Sequence, residues 1–210
     1  MDKLLSALIA CGLLASTVIN APNAAADVET RKTASYNGIK LNLPAELNIT
    51  MGKNGDTTLD ADKAVLPLIS VTIENGILVI TSKKPLNNLK KLVINCSTAV
   101  LDRLQLDGAC KANIKGLTKG RVEVVGNGAS TVTAEGNLDW FSAIMSGAGT
   151  VRASNLKTKG AFVKISGAGT ADLNVVEKLK VEIEGAGTVK YAGNPTVEKK
   201  VMGAGTVTKI

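Results

Sequence analysis

A short turn with the core Gly-Ala-Gly-Thr recurs four times in the C-terminal half of the 210-residue chain. A repeat of fixed period constrains the fold strongly, because each unit must bury its apolar side chains against its neighbours. The first glycines of the four turns are 20, 18 and 18 residues apart. The two glycines of each turn are Gly147 and Gly149, Gly167 and Gly169, Gly185 and Gly187, and Gly203 and Gly205. Weaker copies lie at 108–112 and at 126–132, and the second carries about two extra residues.

The segments between the turns alternate as β-strands do. Val163 and Ile165 flank Lys164, and the residues before the third turn repeat this pattern. Period-two alternation places one side of a strand inward and the other outward. Glycine at the corner permits a close approach of neighbouring turns. The sequence therefore predicts an all-β fold, a single-stranded parallel β-helix (solenoid) for which right-handed coiling is favoured. It also predicts an outward ladder of threonines, namely Thr150, Thr170, Thr188 and Thr206.

Two other architectures share parts of this pattern. Leucine-rich repeats have a similar period, but the leucine and asparagine ladder that they require is missing. An antiparallel meander stays open as an alternative, although hairpins do not require identical corners in register.

The first 26 residues have the features of a secretory signal peptide. Lys3 precedes the apolar stretch 4–19, and three alanines end at Ala26. Cleavage near Ala26 predicts an exported protein, located in the periplasm, on the cell surface or outside the cell, without a membrane span in its mature form. A membrane anchor and a lipoprotein signal with a lipidated Cys11 are the alternatives.

Residues 27–100 lack the glycine turn but also have strand patterns. Asn75-Gly76 between two apolar runs is a strong hairpin signal. Because an open end of a β-helix exposes unpaired strand edges, we expect residues 27–100 to form a β-rich capping region. This region would be continuous with the β-helix repeats of residues 101–210.

Two cysteines follow the signal segment. In an oxidising compartment Cys96 and Cys110 can form one disulfide, provided that their Cα atoms come within reach. Two buried thiols that fill gaps in the core are the alternative, and the spacing does not decide between them.

Three features together resemble the head GIN domain family of auto-transporter adhesins. They are the segments 38–45 and 74–80 and the four Gly-Ala-Gly-Thr turns. The resemblance extends from about Val28 to Ile210. It implies a β-helical exported bacterial protein, with cell adhesion suggested by the fold rather than by known chemistry.

Composition removes several functions. The chain has no histidine, which excludes Ser-His-Asp catalysis and histidine metal sites, and we expect no cofactor and no metal. Its few aromatic residues argue against specific nucleic-acid binding. The alternative to a non-enzymatic adhesin-like scaffold is a polysaccharide-processing enzyme on a pectin-lyase-like β-helix, which needs clustered carboxylates. The candidate acids fall at different places in their coils, namely Asp102, Asp107, Asp139 and Asp172.

The formal net charge of +7 suggests a ligand class. Stacked coils would gather basic residues into a stripe that attracts anionic surface glycans or lipopolysaccharide. The candidate binding residues are Lys157, Lys159, Lys178 and Lys180, with Lys119, Arg121, Lys199 and Lys200 extending the stripe. A solvated face that only maintains solubility is the alternative.

Two further features concern partners. Alternation sends one member of the pair Trp140-Phe141 inward and leaves the other as a contact residue. The last strand ends at Ile210 without a visible cap, which suggests a homo-oligomer or a partner strand at the open end.

Overall fold

The structure is a computed structural model that describes residues 26–86, 89 and 91–210. Its elements are sixteen strands and one short 3₁₀ helix, Leu66–Leu68. The strands are β1 Ala26–Arg31, β2 Gly38–Asn42, β3 Glu46–Met51, β4 Thr57–Asp62, β5 Ile69–Glu74, β6 Ile77–Ser82, β7 Leu92–Thr98, β8 Arg103–Asp107, β9 Lys111–Leu117, β10 Arg121–Gly128, β11 Thr131–Gly147, β12 Thr150–Gly167, β13 Thr170–Gly185, β14 Thr188–Ala192, β15 Thr196–Gly203 and β16 Thr206–Lys209. Residues 1–25 of the predicted signal peptide, Cys11 included, lie outside the described residues. Ala26, its last residue, begins β1.

The strands form two stacks. One contains β5, β6, β2, β8 and β10, the second parts of β11, β12 and β13, and β15. The outward surface of this stack is called the tryptophan face below. The other contains β1, β4, β7, β3 and β9, the first parts of β11, β12 and β13, and then β14 and β16. Its outward surface is called the threonine face.

Strand pairing from β8 to β16 is parallel throughout. Such pairing stacks each coil on the one before it and excludes the antiparallel meander. The predicted all-β parallel β-solenoid is therefore confirmed. Antiparallel pairs occur among the N-terminal strands, where β1 pairs with β4, β4 with β7 and β5 with β6.

The N-terminal coils do not stack in chain order. The coil made by β2 and β3 lies between the coil of β6 and β7 and the coil of β8 and β9. The chain therefore forms the middle coil first, then the coil of β6 and β7 on one side of it, and then the coil of β8 and β9 on the other side. The Asn75-Gly76 hairpin forms as predicted, with Glu74 facing Ile77 and both turn residues at positive φ (52° and 77°).

The core is aliphatic and runs the length of the solenoid between the two stacks. Alternate strand residues point into it, as in β13, where Val181 and Ile183 are fully buried. The largest fully buried side chain is Phe141, which has Val122 and Ala161 as its register neighbours. The residues that alternate with them along each strand face the solvent, and they form the surface that a ligand can reach.

The first glycine of each turn forms the corner between the two stacks. Gly147, Gly167, Gly185 and Gly203 lie in one register column and have φ between 108° and 129°. A Cβ atom on Gly167 would lie 2.4 Å from the carbonyl oxygen of Gly147. Glycine is required here for both its conformation and its lack of a side chain.

The upstream corner differs from its predicted alignment. Gly128, not Gly126, faces Gly147, and Ser130 takes the place of the second glycine. Gly126 instead faces Met145 inside the core, where a Cβ atom would lie 2.6 Å from the Met145 methyl carbon. The predicted two extra residues are therefore wrong, because Gly126 makes room for the core side chain of Met145 and Gly128 is the corner glycine.

The threonine face carries two polar ladders. The predicted threonine ladder is confirmed by register and extends back to Thr131. Beside it, Asn113 donates to Asn48 at 2.8 Å, Asn48 donates to Asn95 at 3.0 Å, and Asn95 donates to Thr58 at 3.2 Å. These hydrogen bonds link successive coils across the outer surface.

The two cysteines are free and buried. Cys96 faces Ile49, Ile49 faces Ile114, and Cys110 lies four residues before Ile114. The strand of Cys96 is therefore two spacings of about 4.8 Å from that of Ile114. Along the strand direction, about 13 Å of extended chain further separates Cys110 from Ile114. A disulfide needs Cα atoms within roughly 7 Å. The two thiols thus fill core positions, and the disulfide left open by the sequence does not form in this fold.

Because these two thiols are buried, we expect the free energy of unfolding to fall at alkaline pH. Burial raises the pKa of Cys96 from 9.0 to about 11 and also raises the pKa of Cys110. The folded state then holds the thiol proton more tightly than the unfolded state, so the free energy of unfolding should fall as pH rises from about 9 to about 11. In urea titrations Cys96→Ala should lose about 2 kcal/mol less than the parent over this interval. Parallel pH curves for the two proteins would contradict the prediction.

Candidate ligand-binding site

Arg121, Trp140, Gly160 and Lys178 form one column of the tryptophan face, one residue from each of four successive coils. A Cβ atom on Gly160 would lie 2.4 Å from Cε3 and Cζ3 of Trp140. The indole ring therefore lies across the Gly160 backbone, and Trp140 is half-buried. An aromatic surface is thus placed between two cationic side chains.

A second aromatic ring lies in the next outward column. Phe162 is half-buried and lies between Ser142 and Lys180 in register. The Lys180 ammonium lies 5.6 Å from the centroid of the Phe162 ring, within cation–π range. Lys180 also pairs with Glu182 at 3.0 Å, and this hydrogen bond raises the pKa of Lys180.

Two aliphatic side chains complete the apolar patch. Val125 and Ile144 face each other in the following column and are half-buried on the outer surface. The aromatic-cationic patch is hereafter this surface of Trp140, Phe162, Val125 and Ile144, with Arg121, Lys178 and Lys180 at its rim. The rim also carries two carboxylates, Glu123 and Glu182, which are paired with Arg103 and Lys180. Arg121 and Lys178 are the rim cations that no carboxylate neutralises among the described residues.

Lys157 and Lys159 lie elsewhere, at the corner opposite the glycines. They line a groove of about 470 Å³ together with Lys119, Asp139 and Glu177. Lys159 pairs with Asp139 at 2.8 Å, and the backbone N–H of Gly120 donates to the same carboxylate at 3.1 Å. These two hydrogen bonds, that from Lys159 first, hold the pKa of Asp139 below its ordinary value.

The four predicted lysines therefore divide into two pairs. Lys157 and Lys159 belong to the groove, and Lys178 and Lys180 belong to the patch. Among the residues that the structure describes, no carboxylate oxygen lies within 4.0 Å of the ammonium of Lys157 or Lys178. These two charges are available to an anionic ligand.

The two most C-terminal lysines of the predicted stripe are not in line with the others. Lys199 shares a column with buried Val181, and Lys200 shares one with Glu182. An inward-directed charge on an edge strand such as β15 opposes pairing with another strand. The predicted oligomer at this end stays a prediction.

The acids considered for catalysis are dispersed. Asp107 accepts a hydrogen bond from Asn127 at 2.6 Å, Asp102 accepts one from Asn37 at 2.8 Å, and Asp139 is held by Lys159. Asp172 lies on the threonine face between Arg152 and Lys190. These placements put no two of the four acids in one column.

Sequence reasoning missed Phe162 as a surface residue. It occupies an outward position in the alternation, two residues before Lys164, and this was the available signal. Its proximity to Trp140 depends on the register between β11 and β12, which alternation alone does not provide. Phe141 is the inward member of its pair, and Trp140 the outward one.

Fold and surface together define a β-solenoid with a lateral aromatic and cationic surface. A family model described as "Putative auto-transporter adhesin, head GIN domain" matches residues 35–195. The chain belongs to this family, as its sequence predicted. Among the described residues no helix has the length and apolar character to cross a membrane.

Solved structures of three bacterial proteins share the fold. A putative adhesin from Bacteroides fragilis is 22% identical with a TM-score of 0.69, covering 88% of this chain and 97% of its own. A putative adhesin from Parabacteroides distasonis is 17% identical with a TM-score of 0.59, covering 90% and 98%. A protein from the same species named a putative lipid binding protein is 17% identical with a TM-score of 0.57, covering 90% and 98%. A comparison with curated proteins gives no match.

Proposed function

We propose that this protein is an exported, non-enzymatic adhesin-like scaffold that binds anionic surface glycans, lipopolysaccharide included, through its basic side surface. The family match supports an adhesin role, and the pattern of residues 1–26 supports export. The observation that carries the ligand class is the exposure of Lys157 and Lys178 without a carboxylate partner among the described residues.

Electrostatic attraction explains why these two lysines matter more than the paired ones. An exposed ion pair such as Lys159–Asp139 has its field largely compensated, while an unpaired ammonium still attracts a polyanion. Lys157 of the groove and Lys178 of the patch lie on successive coils, in β12 and β13. A long anionic chain can therefore contact both at once, and multiple weak contacts add up to measurable affinity.

Charge reversal tests this proposal. We expect the full chain to bind immobilised lipopolysaccharide with an affinity that falls as sodium chloride is raised. Reversing Lys157, Lys159, Lys178 and Lys180 to Glu should lower the affinity at least about tenfold and flatten its salt dependence. Surface plasmon resonance at several salt concentrations measures both quantities.

A matched variant controls for net charge. Lys53, Lys63, Lys83 and Lys84 are all exposed and lie away from the groove and the patch. Their reversal to Glu changes the net charge equally and should leave most of the affinity in place. Equal losses in the two quadruple variants, or unchanged binding in the first, would overturn the proposed side surface.

A further inference from the structure

We propose that the aromatic-cationic patch is a binding site for an acidic pyranose residue of the glycan. The sugar ring would stack on the indole of Trp140, its carboxylate would be bound by Arg121, and Lys178 would bind the carboxylate of a neighbouring acidic residue of the same glycan. This inference rests on the proposed function and names the sugar chemistry and the residues that recognise it.

The first step is the geometry of the indole ring. One side of the ring is placed against the backbone of Gly160, where no side chain intervenes. Cε3 and Cζ3, at one edge of the ring, lie over Gly160, and the half-buried indole keeps part of its surface exposed to solvent. A flat aromatic side with a negative quadrupole attracts the polarised C–H groups on one side of a pyranose ring.

The second step is the size and composition of the patch. Trp140 and Ile144 are outward residues four positions apart on β11, about 13 Å of extended strand. Phe162 lies on the adjacent strand, about 4.8 Å away, which widens the apolar surface. This area accommodates one or two sugar rings, and half-buried aromatics of this kind are the typical anchors of binding sites.

The third step is charge. Arg121 precedes Trp140 by one coil in its column, and Lys178 follows it by two. A planar guanidinium can bind a carboxylate with two parallel hydrogen bonds. An uncharged sugar has no carboxylate to accept them. Lys180 is already held by Glu182 and Phe162. Arg121 and Lys178 are three coil spacings apart, about 14 Å, so Arg121 is assigned the carboxylate of the stacked sugar and Lys178 that of a neighbouring sugar.

The single tryptophan gives a direct measurement. Titrating the full chain with oligogalacturonate should change the Trp140 fluorescence in a saturable way, while an uncharged oligomannose should give a weaker response. Binding measured by calorimetry should weaken about tenfold or more in Trp140→Ala, and Trp140→Phe should recover much of it. Arg121→Gln with Lys178→Gln should lower affinity for oligogalacturonate and leave affinity for oligomannose unchanged.

The outcomes separate the two proposals. Loss of glycan binding on reversing the four lysines, with unchanged binding in Trp140→Ala, would overturn the patch and leave the basic surface. Equal fluorescence responses to acidic and uncharged sugars would overturn the assigned sugar class. A saturable Trp140 response to phosphatidylcholine vesicles without a response to either sugar would overturn the glycan in favour of a lipid. Retained folding of each variant is checked by circular dichroism.

Discussion

Replacing Gly167 with alanine is expected to destabilise the protein by about 3 kcal/mol or more. The residue has a φ of 129°, a conformation that L-residues other than glycine rarely adopt. Its new Cβ atom would also lie 2.4 Å from the carbonyl oxygen of Gly147, and this contact is with backbone, which does not rotate away. The change in unfolding free energy is measurable by urea titration.

Gly108 provides the matched control, because it lies in the same kind of corner at an earlier coil. Its φ is 107°, yet a Cβ atom there would meet nothing within 4 Å. Gly108→Ala should therefore cost only the conformational strain, about 1 to 2 kcal/mol. If the two substitutions cost the same, close stacking of corners would not be what excludes side chains at Gly167.

Phe141→Ala is expected to cost about 3 to 5 kcal/mol. Phe141 is fully buried, and its register neighbours Val122 and Ala161 are too small to fill the space that its ring would leave. In a stacked solenoid such a cavity weakens the interface between two coils. Urea titration, together with amide hydrogen exchange of β10 and β12, measures the loss and its location.

Two variants control for this result. Phe141→Leu retains most of the volume and should cost less than about 1.5 kcal/mol. Trp140→Ala removes the adjacent, outward-facing ring and should cost about 1 kcal/mol, since little core volume is lost. A larger loss in Trp140→Ala than in Phe141→Ala would contradict the inward and outward assignment of the pair.

The repeat predicted the local structure well, because each coil solves the same packing problem. Alternation in β13 correctly separated inward Val181 from outward Lys180. The recurring turn located the corners, since glycine alone accepts a positive φ with backbone packed against it. The threonine ladder followed from the fixed position of threonine, three residues after the first glycine of each turn.

Other predictions failed where local pattern has two meanings. Gly126 and Gly128 look equivalent in sequence, but one makes room for Met145 and the other forms the corner. Lys199 was grouped with the basic stripe, yet it lies 14 residues after the first glycine of its turn, as Val181 does, and register places the two in one column. A shift of one or two residues moves a side chain to another column, and the pairing of strands decides which column it occupies.

The sequence by itself determined the solenoid, its corners and the inward half of each strand, because period-two burial and the special conformations of glycine are local constraints. Tertiary structure alone decided which coils are neighbours. It placed β2 and β3 between coils that follow them in the chain, separated the two cysteines, and brought Arg121, Trp140 and Lys178 into one column. Such contacts join residues about twenty or more positions apart, and their energy arises from stacking whole coils rather than from any short segment.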